Sequence, residues 1–251
     1  MNQAPETLEG WYALHDVRQV DWATWQALSP QQRDAAVDEL VRYLERATGV
    51  EDAPEGSSAV YSLVGHKGHL MLLHLRPTLK ALNRLELALD RTRFGQASRR
   101  ATSFVSVIEL STYGTRGQAE PGDPLENPYL RKRLHFQIPP MSHVCFYPMN
   151  KRRGERENWY LLPMEERGRM MREHGETGRR YGDRVIQMVT GAVGFDDWEW
   201  GVTLFSDDPL NFKKLVYEMR FDEVSARYGE FGSFFVGIRL EPSEVPGYLG
   251  L

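Results

Sequence analysis

The sequence predicts an α+β protein built from two tandem ferredoxin-like (βαββαβ) modules packed as an α+β barrel. Three observations lead there. The order strand, helix, strand, strand, helix, strand occurs twice along the chain. A segment dense in glycine, proline and charge, Thr115–Leu130, separates the two passes. A sheet of this kind carries helices on one face only, so two copies can bury their bare faces together. The expected modules are 1–114 and 131–251, with a mobile linker at 115–130.

In the first pass, residues 9–21 alternate as a strand and 29–49 read as a helix, with Ser29-Pro30 at its start and Gly49 at its end. Residues 57–67 and 69–77 read as two strands around a Gly/His/Lys turn. Residues 78–94 form an amphipathic helix with Leu79, Leu82, Leu85 and Leu89 on one face, and 101–112 a further strand. The second pass repeats the order. Residues 143–152 are a strand, a helix begins at Pro163, 184–191 and 197–206 are strands, 208–229 is a helix and 230–240 the last strand. The first module is the expected scaffold and assembly surface.

Composition narrows the function classes. The 251 residues are 41% hydrophobic and 26% charged, ordinary for a globular chain. No apolar run reaches the roughly 18 residues of a membrane span, and the N-terminus lacks a signal-peptide pattern, so a cytoplasmic protein is expected. One cysteine, Cys145, leaves no internal disulfide framework or multi-cysteine metal site. The net charge of −4 argues against nucleic-acid binding. Yet Arg131–Arg184 holds 13 Lys/Arg against 7 Asp/Glu, which suggests one localised anionic ligand; the plainer reading is a solvated charged face.

Familiar catalytic signatures (GxSxG, HExxH, Walker A) are absent. His66, His69 and His74 fit a polar hairpin better than a metal site. His174 lies near the end of a helix carrying Met164, Met170 and Met171, beside Gly175 and Gly178, which would let a flat group approach the backbone. Strand parity puts Cys145, Tyr147, Met149 and Lys151 on one face, provided Pro148 does not break the alternation, and the bland alternative is an edge strand. Arg131 and Arg133 share parity on the preceding segment. Gln187 interrupts an apolar strand; a buried amide there serves local structure or faces a cavity. Trp198 and Trp200 share a face, which suggests core packing.

The strings YPMNKRR (Tyr147–Arg153), NWY (Asn158–Tyr160), HGETGR (His174–Arg179), DDWEWGV (Asp196–Val202) and YEMRFDEVSARYGEFG (Tyr217–Gly232) resemble the chlorite dismutase-like haem proteins, and within them the coproheme decarboxylase branch. The resemblance covers nearly the whole chain. It implies a hydrogen peroxide-dependent haem synthase, usually a homopentamer, that converts two propionates of iron-coproporphyrin III (coproheme) to vinyl groups and yields haem b. It implies that His174 is the axial iron ligand and that Tyr147 is the catalytic residue, oxidised to a radical. Arg133, Tyr147, Pro148, Met149, Asn150, Lys151 and Ser225 are implied as porphyrin contacts, with Gln187 at the distal position. Chlorite dismutases carry arginine there, so Gln187 points away from chlorite chemistry. The alternatives are chlorite dismutase and a non-catalytic haem carrier or sensor.

Overall fold

A computed structural model describes residues 4–111, 113 and 123–250. The first strands and helices are β1 (Thr7–Val20), α1 (Trp22–Ala27), α2 (Pro30–Thr48), β2 (Ser57–Val64), β3 (Leu70–Arg76), α3 (Leu79–Asp90), α4 (Arg93–Gln96) and β4 (Ser98–Ser111). There follow α5 (Pro128–Leu134), β5 (His143–Lys151), α6 (Met164–Arg179), β6 (Ile186–Gly191), β7 (Trp200–Ser206), α7 (Leu210–Met219), α8 (Glu223–Tyr228), β8 (Gly229–Phe231) and β9 (Phe235–Arg239). The chain divides into two compact units. Among the described residues, no helix is long and apolar enough to cross a membrane.

The first unit comprises Trp11–Val105, Phe136–Ile138 and Phe235–Leu251. Its strands lie in the order β4-β1-β3-β2-β9, the first four being the ferredoxin-like arrangement. The pairs β1–β3, β2–β3 and β2–β9 are antiparallel, with Tyr12 opposite Arg76 and Tyr61 opposite Arg239. Leu40 and Leu44 of α2 and Leu85 and Leu89 of α3 pack with Val60, Leu70 and Leu72 of the sheet. The start of α2 follows from its sequence: Ser29 Oγ accepts from Gln32 N, and Gln32 Oε1 accepts from Ser29 N, a reciprocal capping box. At its end the left-handed residue is Val50 (φ 56°) rather than Gly49. The expected helix over 78–94 is two helices, because Thr92 Oγ1 accepts from Gly95 N and starts a new turn. His69 Nδ1 accepts from Val20 N, and the buried His74 lies between Ser58 Oγ (2.8 Å) and Tyr43 Oη (3.2 Å).

The second unit comprises Met1–Gly10, Ser106–His135 and Pro139–Phe234. Its order β8-β5-β7-β6-β4 repeats the ferredoxin-like arrangement. Strand β5 is therefore interior to this sheet, not an edge strand, and the alternation survives Pro148: Cys145, Tyr147 and Met149 all join one apolar cluster with Phe212 and Leu215 of α7.

Three local expectations need correction. The single helix over 208–229 is α7 and α8, because Asp222 Oδ1 accepts from Ser225 N and caps a new helix. The strand over 230–240 is β8 and β9, parted at Gly232, where a Cβ would stand 2.7 Å from Pro148 Cγ and 3.0 Å from Trp198 Cζ2. Arg131 and Arg133 share no strand face: they lie in α5, which Asn127 caps and Pro128 begins. The linker expected over 115–130 lies outside the described residues as far as 122; beyond that come a 3-10 turn, Pro124–Glu126, and α5.

Candidate functional site

Every residue expected at the site lies in the second unit. The sheet register assembles one wall. Tyr147 pairs with Val202 and Cys145 with Leu204, while Gln187 also pairs with Leu204 and Val189 with Val202. Cross-strand partners share a face, so Tyr147, Met149, Lys151 and Gln187 point to the same side of the sheet, the side covered by α7.

Tyr147 is buried and stacks on Phe234 at 4.5 Å between ring centroids, with Phe231 tilted at 6.0 Å. Burial, helped by Cys145, pushes its phenol well above the usual range, and Arg220 acts the other way. Arg220 itself lies over the Phe231 ring, 3.6 Å from its centroid. With burial holding its pKa up, the phenol keeps its proton at neutral pH.

Lys151 ends the same face of β5, its Nζ 4.9 Å from the Trp159 ring centroid. Burial pushes its ammonium down to about 8, opposed by the charges of Asp222 and Glu199. Asn150 Oδ1 accepts from Glu199 N at 2.7 Å. Pro148 is buried opposite Gly201, and its carbonyl accepts from Gly232 N.

His174 projects from α6, partly exposed, and its Nδ1 lies 2.8 Å from Asp222 Oδ2. Asp222 resists the rise that burial imposes: the bond to His174 and the donated Ser225 N–H hold its carboxyl below the usual range. One carboxylate thus ties together His174 and the buried Ser225, and its charge reaches Lys151. With Nδ1 held, the imidazole's Nε2 lone pair is the position left for an iron, the arrangement in which a carboxylate fixes the tautomer and orientation of a ligating histidine. The residues present therefore fit a haem iron.

Two expected residues sit differently. Gln187 is exposed, not a buried amide. Arg133 is exposed on α5, its Nη1 3.4 Å from Tyr129 Oη and its guanidinium over that ring. Of the methionines near His174, Met170 is buried with Trp159, Val224 and Tyr228, Met171 packs against that cluster, and Met164 is exposed. Gly178 faces Met219 Cε, which a Cβ would approach to 3.2 Å. Trp200 Nε1 donates to Glu109 Oε1. A surface cavity of about 320 Å³ lies along α6, lined by Pro163, Glu165, Glu166, Arg169 and Arg172, and includes none of the expected site residues.

Asp222 and Glu199 were missed by sequence reasoning. The available signal for Asp222 was an acid three residues before Ser225 inside an overlong helical pattern, the spacing of a helix cap. Glu199, between Trp198 and Trp200 in an aromatic strand, carried no signal that separated it from a solvent-facing residue.

Comparison with known proteins agrees with this fold. The chlorite dismutase family profile matches residues 33–240. The chain is similar to a novel heme-binding protein from Thermus thermophilus, with 49% identity over 100% of this chain and 99% of that one and a TM-score of 0.93. It also shares the fold of a variant of chlorite dismutase from Candidatus Nitrospira defluvii, with 20% identity over 97% of this chain and 96% of that one and a TM-score of 0.77. The imidazole complex of that chlorite dismutase gives 19% identity, the same coverages and a TM-score of 0.74. The match over most of its length shows that this chain belongs to the chlorite dismutase family.

Proposed function

We propose that the protein oxidatively decarboxylates iron-coproporphyrin III to haem b with hydrogen peroxide. The observation that carries this reading is Tyr147: a buried phenol, held in its protonated form, on the same face of β5 as Lys151. Such a phenol would give its electron to the bound oxidant and its proton to a propionate carboxylate of the substrate, and the resulting radical is a hydrogen-atom acceptor. The similarity to a heme-binding protein supports a porphyrin ligand. His174, oriented by Asp222, would hold the iron. Lys151, with Arg133 and Ser225, would meet the propionates, and Gln187 would face the open side of the porphyrin.

When bound, the iron porphyrin supplies the oxidising equivalents that peroxide provides. The Tyr147 radical removes a hydrogen atom from the propionate β-carbon and becomes the phenol again. The carbon radical gives up a second electron as its carboxylate leaves. In balance, a propionate becomes a vinyl group, carbon dioxide, a proton and two electrons, and those electrons with protons reduce one peroxide to two waters. Two rounds complete the reaction. A cytoplasmic homopentamer belongs to the same reading.

The test mixes purified apo-protein with ferric coproporphyrin III, titrates peroxide and follows the porphyrin by mass. Stepwise loss of two carboxyl groups is expected. A bound but unchanged porphyrin would favour a carrier instead.

A further inference from the structure

We infer that Glu199 is a positioning residue for the substrate: it clips the end of β5 and keeps the Lys151 side chain charged to receive a carboxylate. This rests on coproheme being the substrate. On the β7 side, the β5 ladder ends at Met149↔Trp200, so Asn150 and Lys151 lie beyond it. There Glu199 takes over. Its Oε2 accepts from Lys151 N at 2.9 Å, while its own N–H donates to Asn150 Oδ1 at 2.7 Å. Its Oε1 lies 3.6 Å from Arg153 Nη1, and the Tyr160 hydroxyl also bonds to its carboxylate. The Lys151 N–H and the Arg153 guanidinium can only donate, so the carboxylate oxygens act as acceptors toward both. Glu199 is 8% exposed, which makes its charge effective nearby.

The surroundings of Lys151 show why this matters. Trp159 offers a ring face, and β8 places Gly229 opposite it. The charges that support its ammonium are Asp222, at the α7–α8 junction, and Glu199, ahead of β7. Asp222 is already engaged with His174 and Ser225. A neutral amine would lose the ion pair that a propionate offers. Without Glu199, burial would favour that neutral form at lower pH.

The experiment measures affinity for metal-free coproporphyrin III by fluorescence quenching from pH 6 to pH 9. In the wild type, binding should weaken as pH rises through the Lys151 titration near 8. Glu199→Gln keeps an acceptor for Lys151 N and removes the charge. It should move that midpoint down by roughly half a unit or more. Lys151→Met should abolish the step, and the double variant should match Lys151→Met. A uniform loss of affinity in Glu199→Gln with the midpoint unchanged would overturn the inference while leaving the functional reading intact. Failure of the wild type to bind coproporphyrin would overturn both. Should Glu199→Gln not fold, side-chain NMR of Lys151 in the wild type decides: a charged ammonium at pH 7 is expected, and a neutral amine at pH 7 would refute the role.

Discussion

Asp222 Oδ2 lies 2.8 Å from His174 Nδ1, while Asp222 Oδ1 accepts the Ser225 N–H that starts α8. The same carboxylate thus orients the His174 ring and fixes a helix start. Asp222→Asn preserves a good cap but removes the charge. It should weaken binding of haem iron roughly 10- to 100-fold, read by titration and by the iron–histidine stretching frequency. An unchanged frequency would show that Asp222 does not tune His174. Because the Asp222 carboxyl is held low in the folded state, its stabilisation is present above the ordinary carboxylate range and is lost as pH falls through its folded value.

The strands and long helices were legible because their apolar periods are local properties of the sequence. The breaks at Asp222 and Gly232 were not. Apolar residues at helical spacing continue across Asp222, through Phe221, Val224 and Tyr228, and conceal a cap formed by one carboxylate. Gly232 breaks the last strand through its approach to Trp198 and Pro148, residues far away in sequence. Gln187 shows the same limit at the site: alternation gives its face, while its exposure depends on what covers that face. For Arg131 and Arg133 a local signal existed, since Asn127-Pro128 is a helix start.

Lys151 should be a stability burden for the free protein. Its folded titration near 8, below the ordinary 10.5, means that the unfolded chain binds the extra proton between those values. Stability therefore rises with pH across that window. Lys151→Met should raise unfolding free energy at pH 7 by up to about 3 kcal/mol and remove the rise between pH 8 and 10.5. Urea melts at pH 7 and pH 10 check both. A destabilised variant at pH 7 would contradict the burial argument.

His15 and His74, both buried in the first unit, are held neutral with titrations lowered to about 3 by burial, Arg76 adding to the effect at His74. Below pH 6.5 the unfolded chain takes up protons that the folded chain refuses, so stability falls as pH falls toward 3. At pH 5 each histidine should cost about 2 kcal/mol relative to neutral pH. His74→Gln should reduce the dependence by one proton. An unaltered slope between pH 7 and pH 5 would remove His74 from the acid response.

Gln187 is exposed on β6, so Gln187→Ala should change the stability of the free protein by less than about 0.5 kcal/mol. The proposed function puts Gln187 on the open side of the porphyrin, where a neutral amide gives a chlorine oxyanion no counter-charge. The wild-type haem complex should therefore release no oxygen from chlorite at the rate of a dedicated enzyme. An oxygen electrode decides, and rapid evolution would favour the chlorite reading.

The proposed function gives the central role to Tyr147, whose buried ring stacks on Phe234. Tyr147→Phe keeps that stack and removes only the hydroxyl. The direct measurement binds ferric coproporphyrin III to wild-type and Tyr147→Phe protein, adds peroxide and compares product masses. Similar porphyrin affinity is expected, with conversion to haem b in the wild type and at least about a 100-fold slower loss of carboxyl groups in the variant. Conversion by Tyr147→Phe at the wild-type rate would contradict this role.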